Sequence, residues 1–287
     1  MRVNLGLRPP RPGPVRYPIL LVPGTFFLRN LVERRALLFQ LVRRDFQQRY
    51  VGSAAGWLWG VIHPLVLLLS WVFVFQICLQ ITLPRGAVTQ NYTLFLICGF
   101  LPWMLFQETV HRSATALVEQ SGLLTKTLFP AEVVPVSIFV SSLMNHLMAL
   151  VVVVSVVGFT QEHFSPMVLL LAPYTLLAGL LAIGLAWVVA SLHVYLRDTG
   201  QMVSVVLTLW FWLTPIFIDE QQYPPQMRWV VWFNPLAHLV RAYRERLLTN
   251  RAPNLEEFAT LAAWSVAAFI AGGLFFRQLK RGFADVL

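Results

Sequence analysis

The chain has 287 residues, of which 57% are hydrophobic, 13% aromatic and only 12% charged. Soluble domains are about 25% charged on average, and the uncharged runs of this sequence are long enough to cross a bilayer core, so a soluble globular domain is excluded. The 22 Lys and Arg exceed the 13 Asp and Glu, and ten of the arginines lie within residues 1–50. That distribution is typical of a cytoplasmic segment beside an anionic leaflet.

The N-terminal region divides into two predicted parts. Residues 1–28 are rich in Pro and Arg without periodicity, which predicts an extended cytoplasmic N terminus. Its apolar piece at 19–22 is too short for a signal peptide. Residues 29–50 place apolar side chains at helical spacing opposite arginines and glutamines, which predicts an amphipathic helix along the membrane surface. Asp45 and Arg49 are spaced for an i,i+4 ion pair on this helix.

Six apolar runs of spanning length follow the surface helix. They cover 57–81, 92–110, 133–158, 166–192, 200–218 and 258–276. The predicted fold class is therefore an all-α membrane protein with a six-helix transmembrane domain over 57–276 and a cytoplasmic tail over 277–287. With the N terminus inside, sixteen of the 22 Lys and Arg fall on the inner side, so both termini are predicted to be cytoplasmic.

The connection 219–257 is unusual because an outer loop here carries five arginines and five acids. Within 227–248, apolar residues stand opposite a predicted polar face that contains Arg241, Arg244, Glu245 and Arg246, and prolines interrupt the connection. A pair of short re-entrant helices fits better than an ordinary loop and is a candidate outer gate. The gate candidates are Pro224, Pro225, Trp229, Asn234, Pro235, Arg241 and Arg244.

The ionisable residues limit the functions that the chain can have. There is no Gly-x-x-x-x-Gly-Lys-Ser/Thr motif, so ATP is not bound by that route. His63, Glu108 and His146 are the few ionisable residues inside the runs, whereas an ion-coupled transporter needs buried carboxylates or a relay. For both histidines, packing or a helix-helix hydrogen bond is favoured over a proton relay. We therefore expect the energy for transport to come from outside this chain. With two cysteines inside apolar runs, we expect no metal site.

The tryptophans and phenylalanines leave two interpretations open. Rings such as Trp71 and Trp212 fall deep in their runs, where they either line a channel on which sugar rings slide by apolar contact or pack against lipid and core. For Trp57 and Trp59 at a run end, an interfacial belt is the alternative. The channel-lining candidates are Trp57, Trp59, Trp71, Phe73, Trp210, Phe211 and Trp212.

Several stretches together resemble the type-2 ABC transporter permeases that export polysaccharides, the membrane subunits for O-antigen, teichoic acid and capsule. They are RRDFQQRYVGSAAGWLWGVIHPL (43–65), CGFLPWMLFQETV (98–110), LLTKTLFPAEVVPVS (123–137), LRDTGQMVSVVLTLWFWLTPIFI (196–218), NPLAHLVRAYRERLL (234–248) and FADVL (283–287). Two features depart from the family: His63 stands where Asn is more common, and residues 1–28 have no counterpart.

The resemblance implies an inner-membrane homodimer with two copies of a separate P-loop ATPase, which holds the ATP and Mg, so the chain itself is not an enzyme and needs no cofactor. It assigns 29–50 as an interface helix, about 116–130 as a coupling helix on the ATPase and about 220–250 as gate helices. It also implies an aromatic-lined path for a glycan on undecaprenyl diphosphate. The coupling candidates are Glu119, Leu124, Lys126, Phe129 and Pro130.

Under this assignment Arg43, Arg44 and Arg49 are candidates for binding the diphosphate headgroup, and ordinary anchoring to anionic lipids is the alternative. A permease for a small lipid or drug is the nearest rival function, which the aromatic content disfavours. A membrane-embedded transferase would need a carboxylate or His constellation at one membrane face. Only scattered acids such as Asp198, Asp219 and Glu220 are present.

Overall fold

The computed structural model describes residues 35–50, 56–122, 130–162, 165–249 and 251–283. The predicted N terminus over 1–28, the start of the 29–50 helix and the coupling candidates Leu124, Lys126 and Phe129 lie outside these residues. Within them the chain forms nine α-helices and no strand. They are α1 (Arg35–Tyr50), α2 (Trp59–Val72, continued by a π-helical turn over Phe73–Cys78), α3 (Tyr92–Glu119), α4 (Val133–Gln161), α5 (Leu171–Tyr195), α6 (Thr199–Leu213), α7 (Arg228–Phe233), α8 (Pro235–Leu248) and α9 (Leu255–Leu279).

Four of the six predicted spans are helices that are long and apolar enough to cross a bilayer: α3, α4, α5 with the 3-10 turn before it, and α9 with the 3-10 turn after it. Each has 28–30 residues, or about 42–45 Å of helix. The other two, Ile62–Cys78 and α6, are shorter apolar helices. The run predicted over 200–218 ends early as a helix because Pro215 cannot continue it and Thr214 is already extended. These two spans stay predictions.

The α5 helix is the centre of the packing, with α3 on one side and α9 on another. Glycines let α5 and α9 come close: a Cβ added to Gly272 would overlap the carbonyl oxygen of Gly184, and one added to Gly184 would overlap the backbone at Ala268. This is a small-residue contact of the kind that membrane helices use. The sequence analysis did not identify it.

The bundle has two chemically distinct ends. At one, which we call the basic end, α1 packs across the first turns of α4, and Lys280 after α9 donates to Glu132 before α4 at 2.5 Å. At the other, the gate end, asparagines begin three helices: the side chains of Asn91, Asn234 and Asn254 accept from the first-turn amides of α3, α8 and α9.

Candidate functional site

An aromatic cluster joins α2, α3 and α6 toward the gate end. Trp71 is at its centre, with its ring centroid 4.7 Å from Phe100, 5.3 Å from Phe211 and 5.2 Å from Phe217. These separations are those of favourable aromatic pairs. The cluster comprises Trp71, Phe75, Phe100, Trp103, Phe106, Trp210, Phe211, Trp212 and Phe217.

The structure brings four of the seven channel-lining candidates together in this cluster: Trp71, Trp210, Phe211 and Trp212. Trp71, Trp210 and Phe211 are half-buried, whereas Trp212 is 55% exposed. Trp212 nevertheless has one face on Phe217, at 5.0 Å and nearly parallel. An exposed ring held rigidly by a second ring is a surface on which another group can stack.

The remaining lining candidates lie apart from the cluster. Phe73 on α2 is 57% exposed, and Trp59 is exposed near the basic end, while the side chain of Trp57 lies outside the described residues. The sequence interpretation missed Phe217 because it follows Pro215, where the helical pattern of α6 stops. The signal that could have found it is the Pro215 break itself, which turns Phe217 back toward Trp212.

In the gate segment, which we define as 219–249, the chain divides into α7 and α8 at Asn234-Pro235, as the sequence predicts. Asn234 is buried and begins α8 by accepting from the Leu236 amide at 3.0 Å. Its Oδ1 also accepts from Trp210 Nε1 at 2.9 Å, and its Nδ2 donates to Thr214 Oγ1 at 3.0 Å. One amide side chain therefore fixes the start of α8 to the end of α6.

The Arg244 guanidinium is buried against the same region. It donates to the carbonyl oxygens of Phe95 (3.0 Å), Pro215 (2.7 Å) and Ile216 (2.7 Å), and its Cζ lies 3.4 Å from the centroid of the Phe95 ring. Gly99 provides the space, because a Cβ there would lie 2.5 Å from Nη2. The Pro215 and Ile216 carbonyls lie in the non-helical segment beyond the end of α6, so Arg244 supplies donors to buried backbone groups that no helix satisfies.

The sequence predicts a polar face of α8, and this prediction is wrong for two of the arginines on it. Arg244 and Arg246 are 3% and 1% exposed. They are buried because each has partners inside the protein: Arg246 donates to Glu245 at 2.6 Å and to the Tyr174 hydroxyl at 3.1 Å. The helix is thus packed on nearly all sides, as expected of a helix inside a bundle.

Arg241 ties the gate segment to α9. It donates to Glu220 through Nε at 3.1 Å and also through Nη2, and its Nη1 lies 2.8 Å from Glu257. Burial opposes the charge on Arg241, but the Glu220 and Glu257 carboxylates outweigh it and raise the pKa of its guanidinium above the usual value. The guanidinium stays charged. Pro224, Pro225 and Trp229 are exposed.

A buried hydrogen-bond chain links α8 to α4 and α5. His146 Nε2 lies 3.0 Å from the Tyr243 hydroxyl, which lies 2.6 Å from Thr175 Oγ1. For His146, the favoured interpretation of packing or a helix-helix hydrogen bond is therefore confirmed. His63 lines the inner cavity described below.

At the basic end, an ion-pair network joins α1 to α3 and α4. Asp45 accepts from Arg112 and from Ser141, and Arg49 pairs with Glu108. The predicted Asp45 and Arg49 pair is confirmed, with Nε and Oδ2 3.6 Å apart. Arg49, a headgroup candidate, is thus held in internal ion pairs.

Arg43 and Arg44, the other headgroup candidates, are exposed. Of the coupling candidates within the described chain, Glu119 is exposed and Pro130 is buried. No group of three potential metal ligands occurs among the described residues.

Two cavities adjoin this network. The inner cavity, about 400 Å³, lies between α2, α3 and α4, has mainly apolar walls, and reaches Arg49, Glu108 and Arg112 at its basic end. The basic-end groove, about 600 Å³, is lined by residues of α1, α3, α4, α5 and α6, including Arg44 and Glu119. Both have the size of binding sites rather than packing defects.

These helices and the family comparison together define the class: the chain is a multi-pass membrane protein that belongs to the ABC-2 type transporter family, whose model matches residues 36–248. The match runs from α1 to the last residue of α8 and so includes the ion-pair network, the aromatic cluster and the gate segment. The resemblance seen in the sequence is confirmed. In this family the permease is not an enzyme, and the ATPase is a separate subunit.

The individual relatives are more specific. The chain is 31% identical over 261 residues to the O-antigen export system permease protein RfbA of Myxococcus xanthus, covering 90% of this chain and 98% of that protein. It is 28% identical to the RfbA protein of Klebsiella pneumoniae over 88% of this chain and 95% of that protein. A more distant relative is the polysialic acid transport protein KpsM of Escherichia coli, 20% identical over 83% and 91% of the two chains.

Proposed function

We propose that this chain is the permease subunit of an ATP-driven exporter that moves an O-antigen polysaccharide, linked to undecaprenyl diphosphate, across the bacterial inner membrane. The observation that carries the proposal is the similarity to O-antigen export permeases over nearly the full length of both chains. The exposed ring of Trp212 supports a polysaccharide rather than a small lipid or drug, because apolar ring faces suit sugars of varied composition.

The topology that serves this function has six spans, in which Ile62–Cys78 and α6 cross the bilayer beside the four longer helices. At 15 residues α6 is about 22 Å long, and local thinning of the bilayer at modest cost accommodates such a helix. The basic end faces the cytoplasm because the sequence's Lys and Arg concentrate there. Both termini are then cytoplasmic, and α7 and α8 re-enter from the outer side.

Two copies of the chain and two ATPase subunits form the proposed exporter. The exposed apolar rows of α2 and α6 supply its channel walls: Phe73 and Ile77 on α2, and Met202, Val205, Leu209 and Trp212 on α6. Lining a path with rings and aliphatic side chains gives a glycan many weak contacts and no single strong site.

In the proposed mechanism, the ATPase carries ATP and Mg and acts on the segment 116–130 and on α1. Helix α3, which leads into this segment, is already joined to α1, since Asp45 of α1 accepts from Arg112 of α3 and also from Ser141 of α4. A push at the basic end therefore shifts several helices together and biases closed against open states. The exposed Arg43 and Arg44 attract the anionic headgroup at the inner leaflet.

A complementation experiment tests the function. In a deletion strain, the wild-type gene should restore surface O-antigen, and without it lipid-linked glycan should accumulate in the cytoplasm. Trp212→Ala should reduce export several-fold at equal membrane levels, while Trp264→Ala, a matched change of an exposed tryptophan on α9, should not. Absence of glycan accumulation in the deletion strain would contradict the proposal and favour a small-lipid permease.

A further inference from the structure

The turn that follows α9 contacts two other helices at the basic end. It consists of Lys280–Gly282 and Phe283, and we call it the C-terminal turn. Lys280 Nζ donates to Glu132 Oε2 at 2.5 Å, and the hydroxyl of Tyr195, the last residue of α5, donates to the last carbonyl oxygen of α9 at 2.8 Å. Phe283 is buried, with its ring centroid 6.1 Å from that of Tyr195. The end of α9 is therefore fixed between the start of α4 and the end of α5.

The carboxylate of Glu132 is unusual because it is buried in an apolar site. Its side chain is 6% exposed, and that of Lys280 is 39% exposed. Among the described residues, Lys280 is its only ion-pair partner, and its neighbours Ala131, Val133 and Val134 are buried apolar residues. Replacing a buried ion pair by apolar residues often leaves stability unchanged or raises it. Stability alone therefore does not require a pair of charges at this position.

Glu132 also lies directly after the segment 116–130. Pro130 is buried, and its carbonyl oxygen accepts from the Val133 amide at 3.0 Å in the turn that leads into α4. The Glu132 carbonyl oxygen accepts from Trp187 Nε1 of α5 at 3.1 Å. A displacement of Pro130 therefore acts on α5 through the carbonyl of Glu132 and on α9 through its carboxylate.

The other end of α9 is bound to the gate segment. Glu257, in the first turn of α9, has its carboxylate 2.8 Å from Arg241 Nη1 of α8. From Glu257 to Lys280 the helical chain rises about 34 Å, so it extends from the gate end to the basic end. A continuous helix is a rigid element that can carry a displacement over such a distance. Helix α9 thus has an ion pair near each end, and the two pairs join it to elements on opposite sides of the molecule.

We propose that α9 transmits movement from the ATPase side to the gate segment, with Glu132 and Lys280 as positioning residues. The proposal rests on the proposed function, in which the ATPase acts on the segment 116–130. When that segment displaces the start of α4, the ion pair makes the end of α9 follow, and the pair of Glu257 with Arg241 makes α8 follow. One element is then biased from both ends, which is the physical requirement for coupling between distant sites.

Two measurements on the full-length permease with its ATPase partner test the role of the ion pair. Export is measured as surface O-antigen in the deletion strain, and ATP hydrolysis is measured on the purified complex in lipid nanodiscs. Lys280→Met should lower export about fivefold or more, the usual range for coupled sites, while ATP hydrolysis stays near the wild-type rate. Lys280→Arg keeps the cation and should retain most of the export. Arg281→Met, at the exposed neighbouring arginine, should export as the wild type does.

An apolar pair separates positioning from folding. Lys280→Met alone leaves a buried carboxylate without its cation, which destabilises the fold, whereas Glu132→Met combined with Lys280→Met removes both charges. This double variant should melt at the wild-type temperature and yet lose as much export as Lys280→Met. Wild-type export by the double variant would overturn the positioning role. So would a loss of export that only matches a loss of folded protein.

Changes at the gate end test whether both ion pairs belong to one path. Glu257→Gln should also lower export, although Arg241 keeps its bond to Glu220. Its matched control is Glu256→Gln, at the exposed preceding residue, which should export normally. Combining Glu257→Gln with Lys280→Met should lower export no further than the more severe single change, because each one interrupts the same path. Losses that multiply in the combined variant would overturn transmission through α9.

A spin label at the gate end tests the movement without any glycan. Leu255, the first residue of α9, is 78% exposed, so Leu255→Cys in a Cys78→Ser background can be labelled. Adding ATP and Mg should change the mobility of the label in the parent complex and leave it unchanged in the apolar pair. An equal change in both would overturn the role of α9 and leave the proposed function standing. A change confined to the parent, in a protein that exports no glycan, would support α9 and refute the function.

Discussion

Replacing Arg244 by Met should destabilise the protein strongly, because the guanidinium is a buried donor for backbone groups of two different elements. Met removes the charge itself, so no unpaired cation remains, but the Pro215 and Ile216 carbonyls lose their donor. The Phe95 carbonyl, inside α3, keeps its helical hydrogen bond. At about 1–3 kcal/mol for each buried unsatisfied group, two carbonyls give a cost of about 2–6 kcal/mol.

Two further variants test whether stability depends on the planar shape of the Arg244 guanidinium and on the space that Gly99 leaves for it. The unfolding free energy of Arg244→Lys should lie between those of Arg244→Met and the wild type. An ammonium keeps the charge but cannot donate to three carbonyls in fixed directions. Gly99→Ala should cost about 1–3 kcal/mol by overpacking, since its Cβ would lie 2.5 Å from Nη2. In the Arg244→Met background that cost should largely disappear, which a double-mutant cycle measures.

The assay combines unfolding in mixed micelles with labelling of a native thiol. Cys98 is buried beside Gly99, and Cys78 is exposed, so a Cys78→Ser background leaves Cys98 as the reporter. Maleimide labelling of Cys98 should accelerate in Arg244→Met and stay slow in the parent. Unfolding free energies of Met and Lys variants within about 1 kcal/mol of the wild type would refute the reasoning, since even one orphaned carbonyl costs that much.

Two other changes test the packing and the buried hydrogen-bond chain. Gly272→Ala should push α9 from α5 and lower stability by about 1–3 kcal/mol, whereas Gly122→Ala, where nothing lies within 4 Å of an added Cβ, should be neutral in the same unfolding assay. Tyr243→Phe removes the hydroxyl between His146 and Thr175 and should cost about 1–3 kcal/mol; a change below 0.5 kcal/mol in unfolding experiments would show that the chain of hydrogen bonds does not hold α8.

The long helices were predictable because hydropathy over twenty residues is a strong signal, and α3, α4, α5 and α9 follow it. The end of α6 was not, since Ile216, Phe217 and Ile218 continue the apolar run after the backbone has turned at Pro215. The residue types show that the run is apolar, but they do not show where its helix ends. The helix ends because Pro215 has no amide hydrogen to continue it.

Side-chain partners were harder to predict than helices. The Asp45 and Arg49 pair was accessible because both lie on one helix at fixed spacing. The acceptors of Arg244 were not, because they are backbone carbonyls far along the chain, and a carbonyl has no residue type that marks it. An arginine that is buried because it donates to backbone carbonyls therefore cannot be recognised from the sequence by its partners. The one sequence signal is the small residue that makes room for it, here Gly99.

The polar contacts of the gate segment divide it into a fixed part and a free part. Along α8, Arg241 binds α9, Tyr243 binds α4 and α5, and Arg244 binds α3 and the end of α6. A movement of α8 alone would break all of these bonds, so α8 moves only together with its neighbours. In α7, by contrast, Trp229, Trp232 and Phe233 are exposed, and only Val231 is buried. A shift of α7 would break the bond between His238 of α8 and the Trp232 carbonyl oxygen, 2.9 Å apart, but would leave the bonds of Arg241, Tyr243 and Arg244 in place. The lower-cost movement of the gate end is therefore in α7.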